Sequence, residues 1–194
     1  RFAASCKCYT FSPAQGRKPV RLNSGVRPHM TDQIAVETAD LVEQHLPDGS
    51  DQTVLVLKAH LLVEEQLIKL MQASARKPEC IDTAKLGFPQ KLAITQAFAP
   101  VIVPERWFKA ALLLNSIRNK LAHQMSPKDL ESLERDFTQH IFEASLDLSK
   151  DVLLPGLTHQ EKFRTALVML VVALAAARSA IPEILGSKAH RSAV

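Results

Sequence analysis

Aromatic residues and glycine are scarce in this chain: 194 residues contain one Trp, one Tyr and six Gly. Strands favour aromatic and β-branched side chains, and tight hairpins need Gly, so this shortage argues against a sheet-based fold. Cysteine is scarce as well. Cys6 and Cys8 lie near the start and Cys80 stands alone, which gives no disulfide framework and points to a reducing, cytoplasmic setting. No second Cys pair or His-x-x-x-His follows the Cys-x-Cys at a zinc-like spacing, so no metal site and no cofactor are expected. A Gly-rich phosphate loop and a Gly-x-Ser-x-Gly elbow are also missing, which removes the nucleotide-binding and serine-hydrolase classes that depend on them.

The net charge of +4 suggests a polyanion binder until it is located. Arg1, Lys7, Arg17, Lys18, Arg21 and Arg27 all fall within residues 1–29, which hold no acid, so the remaining 165 residues carry 18 basic and 20 acidic side chains. Binding by the body therefore requires a local cluster of cations rather than bulk charge. Residues 1–29 lack the apolar run of a secretory signal, and Met30-Thr31-Asp32-Gln33 opens a different composition. We read 1–29 as a basic, disordered or added leader, 30–185 as one helical domain, and 186–194 as a flexible tail.

Leu and Ala at helical spacing make the body all-α. The pattern predicts helices from Asp32 to Leu46 and from Asp51 to Ala75. The second should bury a stripe of Val54, Leu57, Leu61, Ile68 and Met71. Residues 76–87 read as a loop with room for one short turn, and Phe88 to Phe98 as the next helix. Val101-Ile102-Val103, between Pro100 and Pro104, reads as an extended connector. A helix from Glu105 to the break at Met125-Ser126-Pro127 follows, with Trp107 and Phe108 as core anchors. Another starts at Ser126 or Pro127, with Leu130, Leu133, Phe137 and Ile141 facing inward. After Leu154-Pro155-Gly156, Thr158 and Glu161 form a capping box for a last helix ending near Ser179. Its middle, Ala166 to Ala177, is apolar on every side but only 12 residues long, short of the roughly 20 that span a bilayer. It reads as a buried bundle or dimer helix and not as a membrane anchor.

Chemistry concentrates at Arg118-Asn119-Lys120-Leu121-Ala122-His123. A fixed cation, an amide and an imidazole stand there on a helix otherwise rich in Leu and Ala. Five residues of ideal helix rotate by about 140°, so Arg118 and His123 diverge on one straight helix. A site using both needs either a distortion near Ala122 or a second copy related by a twofold axis. Lys109, Lys120, Arg106 and Lys128 can form a rim that attracts phosphate. His60 and Glu64, four apart, share a face and are read as a hydrogen-bonded pair within the bundle, with metal or RNA binding as the alternative.

Arg, a polar residue, three further positions and His is a motif that resembles the signature of the HEPN superfamily of helical bundles. Lys58-Ala59-His60-Leu61-Leu62-Val63-Glu64-Glu65-Gln66-Leu67 is similar to the first long helix of bacterial members. Phe88-Pro89-Gln90-Lys91-Leu92-Ala93 looks like the element before the motif helix in relatives of the mannitol operon repressor. The resemblance implies a metal-independent endoribonuclease, a hydrolase working as a homodimer, as in toxin–antitoxin and defence systems. Arg118 and Asn119 would then serve phosphate binding and orientation, His123 proton transfer, and Lys109 and Lys120 RNA binding. Its other implication is a non-catalytic regulatory module, like the mannitol repressors, whose partner is a regulatory protein or antitoxin. Ribonuclease toxins of the family often carry Tyr two positions after the His, where this chain has Met125.

Overall fold

The computed structural model describes the backbone of residues 30–191, apart from 48, 50, 84, 99–102, 125–126 and 145–155. The leader at 1–29, the Val101-Ile102 part of the connector, Ser126 and the Leu154-Pro155 break lie outside the described residues, as do 192–194 of the tail. Among the described residues there are seven helices and no strand, so the chain is all-α. The helices are α1 (Met30–His45), α2 (Gln52–Ser74), α3 (Glu79–Thr83), α4 (Phe88–Phe98), α5 (Glu105–His123), α6 (Leu130–Ala144) and α7 (His159–Arg191).

Local chemistry sets the helix starts. Asp51 caps α2 by accepting from the backbone N–H groups of Thr53 and Val54 at 2.9 and 3.1 Å. The expected box at α7 is formed: Thr158 N–H donates to Glu161 Oε2 at 2.7 Å, and Glu161 N–H to Thr158 Oγ1 at 3.3 Å. These bonds hold the Glu161 carboxyl below its ordinary range, the backbone bond being the larger cause. At α4, Gln90 Oε1 accepts from Gly87 N–H at 2.8 Å.

Two ends differ from expectation. α6, read as starting at Ser126 or Pro127, begins at Leu130, because Pro127, Lys128 and Asp129 form a turn before it. The sequence pattern stops α7 near Ser179, ahead of Pro182, yet the helix continues to Arg191 and takes in most of the residues read as a tail. Proline forfeits only its own amide bond and crowds the preceding turn, so a long helix can pass through it when the rest of the helix is well anchored.

The bundle is organised around α7. It packs on α2, α1 and α6, and α5 packs on α6 and α2. Ala166, Leu167, Leu170, Val171 and Leu174 of α7 are buried, together with Ala59, Val63, Leu67 and Leu70 of α2. Phe163 meets Phe137 of α6 edge-on, with ring centroids 5.5 Å apart. The stretch His159–Ile181 is long and apolar enough by composition to cross a bilayer, and half of it is buried inside the bundle.

The inward face of α2 is not the expected one. Val54, Leu57 and Leu61 are exposed, at 44%, 36% and 63%, while their neighbours Leu55, Val56, Ala59, Leu62 and Val63 form the core. α2 is apolar nearly all round, so periodicity alone offers two stripes. The smaller Ala59 and Val63 let the neighbouring helix approach closely, and that stripe is the buried one. Met71 is buried as predicted, and Ile68 only partly. On α5, Phe108 is buried and Trp107 packs against the core from its edge, its indole Nε1 buried without a hydrogen-bond partner among the described residues.

A buried carboxylate ties three helices together. Glu134 of α6 accepts from Gln52 of α2 and is bonded to His159 Nε2 of α7 at 3.0 Å. Desolvation nevertheless dominates and raises its pKa, against the opposing pull of His159 and Gln52.

Two outcomes follow from this packing. Leu67→Ala should lower the unfolding free energy by about 2–5 kcal/mol and Leu61→Ala by no more than about 0.5 kcal/mol, as read from urea denaturation; equal losses would mean the exposed stripe is buried after all. Because the folded state holds the Glu134 proton more tightly than the unfolded chain does, this group's contribution is full below the ordinary carboxyl value of 4.5 and declines as pH rises through the raised one. Thermal melts of Glu134→Gln and the parent should therefore differ in favour of the variant at neutral pH and converge on acidification.

Candidate functional site

The Arg118–His123 segment lies in the last turns of α5, and the helix is unbroken there. Gln124 N–H donates to Lys120 C=O at 2.9 Å, an ordinary helical bond spanning Ala122. The distortion that could have turned Arg118 and His123 towards each other is therefore not present. Arg118 is half-buried and near enough to His60 of α2 for its charge to act there, and His123 is exposed.

Four of the expected site residues occupy distinct settings. Arg118 Nη1 donates to Asn119 Oδ1 at 3.0 Å, and Asn119 is exposed. Lys120 pairs with Asp129 at 3.2 Å, across the turn leading to α6. Lys109 is exposed and pairs with Glu105 at 3.1 Å, one helical turn back. Arg106, also on α5, pairs with Glu143 at 2.5 Å. Among the described residues, Arg118 is thus the one Arg or Lys of α5 that forms no ion pair, its only bond being to a neutral amide. Exposed ion pairs contribute little to stability, but they do offset charge, so of the expected rim Lys109, Lys120 and Arg106 are largely neutralised, while Lys128 is exposed in the turn before α6.

The expected His60–Glu64 bond is replaced by two others. His60 Nε2 bonds Asn115 Oδ1 of α5 at 3.1 Å, and its ring lies on Phe88 of α4, with centroids 4.4 Å apart and a 30° tilt. Glu64 instead receives Lys91 of α4 at 2.5 Å. A partly buried carboxylate gains more from a lysine brought in by the neighbouring helix than from a neutral imidazole on its own. Three segments distant in sequence, at 58–67, 88–93 and 115–119, therefore meet around His60. Among the described residues no group of three or more His, Cys, Asp or Glu is arranged to hold a metal ion.

Charge at this junction is finely set. Burial lowers the His60 pKa, the Asn115 bond and Glu64 oppose the shift, and the positive charges of Arg118 and Lys91 reinforce it. His60 is thus neutral near pH 7. An amide oxygen can only accept, so the proton sits on Nε2 and His60 is the donor to Asn115.

Sequence reasoning missed Asn115 and Lys91 as members of this cluster. Asn115 stands three residues before Arg118, which on a helix puts both on one side, and that spacing was the available signal. Nothing in the sequence fixes the Lys91–Glu64 pairing, because it depends on how α4 lies across α2. A separate cavity of about 320 Å³ opens at the α1–α2 turn, lined by Pro47, Gln52, Leu55, Thr158, Phe163 and Arg164, and none of the expected site residues lines it. Arg164 there is bound to the Leu46 carbonyl through Nε and Nη2, at 3.0 and 2.6 Å.

A pH titration of the His60 ring by NMR should place its pKa below the ordinary value of 6.5. Since folding weakens its proton binding, its stabilising contribution is present above 6.5 and is lost as pH falls below it. A ring that titrates at or above 6.5 would contradict the burial and charge environment described. No protein-family model, curated protein or solved structure matches the chain.

Proposed function

We propose that this chain is a HEPN-type helical bundle that acts as a homodimer and cleaves RNA without a metal ion. Arg118 binds the scissile phosphate and His123 transfers protons. The observation that carries this reading is the half-buried Arg118, which forms no ion pair among the described residues, on an unbroken α5 with His123 exposed further round the same helix. A single copy directs the two side chains apart. Two copies related by a twofold axis can bring one Arg118 and the other copy's His123 to a shared cleft.

The residue types suit the chemistry. A neutral His123 takes the proton of the 2′-hydroxyl, the 2′-oxygen attacks phosphorus, and the bond to the 5′-oxygen breaks. That oxygen is protonated by the second imidazole or by water, leaving a 2′,3′-cyclic phosphate. The guanidinium of Arg118 stabilises charge on the phosphoryl oxygens as the transition state forms. Asn119 holds Arg118 in place through its Oδ1, while Lys120 and Lys109 serve RNA binding through whatever charge Asp129 and Glu105 leave available. The cytoplasmic setting and the absence of a membrane partner belong to the same proposal.

A second reading is favoured by the exposed Val54, Leu57 and Leu61 on α2 and Leu112 on α5. Apolar surface of this kind suits a regulatory module whose partner is another protein, such as an antitoxin.

Incubation with RNA in EDTA discriminates between them. The parent protein should produce fragments ending in a 2′,3′-cyclic phosphate, and Arg118→Ala or His123→Ala should each reduce the rate by about 100-fold or more. Mixing the two variants should restore part of the activity through heterodimers. Uncut RNA, or cleavage unaltered by both substitutions, removes the ribonuclease assignment.

A further inference from the structure

Asn115, Arg118 and Asn119 occupy positions i, i+3 and i+4 of α5, so their Cβ atoms lie about 5–6 Å apart along one side of the helix. Both amide oxygens in this group are engaged. Asn115 Oδ1 accepts from His60 Nε2 at 3.1 Å, and Asn119 Oδ1 accepts from Arg118 Nη1 at 3.0 Å. Guanidinium has no acceptor. Glu64, the α2 carboxylate whose charge acts on His60, is bound to Lys91 at 2.5 Å. What these three side chains have left to offer is N–H donors: the Asn115 amide, the Asn119 amide and the remaining edge of Arg118.

We infer that Asn115 is a further phosphate-contacting residue of the RNA site, and that His60 is a positioning residue that aims it by holding its oxygen. The inference rests on the ribonucleic-acid reading above and deepens it. A surface that presents mainly donors suits a phosphodiester, whose two non-bridging oxygens only accept. His60 contributes through geometry. Stacked on Phe88 and buried between α2, α4 and α5, it turns the oxygen of a half-exposed amide inward and leaves the NH₂ group for the ligand. Without that bond the amide could rotate and present its oxygen, which repels an anion.

The test uses the full chain and a short fluorescein-labelled single-stranded RNA with 2′-O-methyl sugars, which binds but cannot be cut through its 2′-oxygens. Binding is read by fluorescence anisotropy and folding by thermal melting. Asn115→Asp keeps the oxygen that His60 needs and removes both donors; Ser116→Asp introduces the same charge at the neighbouring exposed position, where the hydroxyl only caps back to Leu112 C=O. Asn115→Asp is expected to bind at least about tenfold more weakly than Ser116→Asp, as befits loss of a hydrogen bond to a charged group. His60→Met should lose binding to a similar degree, and His60→Gln, whose side-chain amide can donate from near the place of Nε2, should recover part of it.

Equal binding by Asn115→Asp and Ser116→Asp would overturn the assignment of Asn115, even if the parent protein cuts RNA. Full binding by a folded His60→Met would overturn the positioning role. Failure of the parent protein to bind the RNA would overturn the inference as a whole. The expected loss of binding in a protein that leaves unmodified RNA intact would uphold the phosphate contact and remove only the cleavage reading.

Discussion

A helix with apolar side chains on every side can be stable in water only if other elements surround it. α7 meets this condition by taking α1, α2 and α6 onto its flanks, and the rest of the bundle follows from that arrangement. Burial of apolar surface is worth roughly 25 cal/mol per Å², so the inward face of α2 is the one that brings its backbone closest to α7. Ala59, Val63, Leu67 and Leu70 of that face all belong to the core that α7 shares. His60 follows Ala59 by one residue, which is about 100° round the helix. With Ala59 buried in the core, His60 points to one side of it, towards Phe88 of α4 and Asn115 of α5. The candidate site is in this sense a by-product of core packing.

The electrostatics of that flank are economical. A protonated imidazole beside Arg118 and Lys91 would be repelled, and burial penalises it further. The ring remains neutral and becomes a one-way donor to Asn115. Lys91 would otherwise add a second loose cation, but Glu64 takes it. Among the described residues, the outcome on α5 is one guanidinium, that of Arg118, that forms no ion pair and stands beside the amides of Asn115 and Asn119.

The sequence made much of this legible. The helix content, the bounds of α4 at Phe88 and Phe98, the capping box at Thr158 and Glu161, and the buried Phe137 and Ile141 all follow from local rules that act within a turn or two. Besides the start of α6 and the end of α7, two things did not follow. The buried face of α2 was misread because Val54, Leu57 and Leu61 have the same helical spacing as the true core stripe, and only the neighbouring helix distinguishes them. The partners of His60 and Glu64 were misread because each lies on another helix, 55 and 27 residues away. For the site itself, the divergence of Arg118 and His123 was a statement about one straight helix and needed no tertiary information. The pairing of Lys120 with Asp129 did, since it depends on the turn after α5.

Trp107 has a consequence of a different kind. It is the only tryptophan in the chain, it sits on α5 at the edge of the core, and its indole N–H is buried without a partner among the described residues. An indole in such a non-polar setting emits at shorter wavelength than one in water. The protein therefore carries an intrinsic optical probe on the very helix that bears Arg118, and any event that loosens α5 from the bundle would register as a red shift without a label.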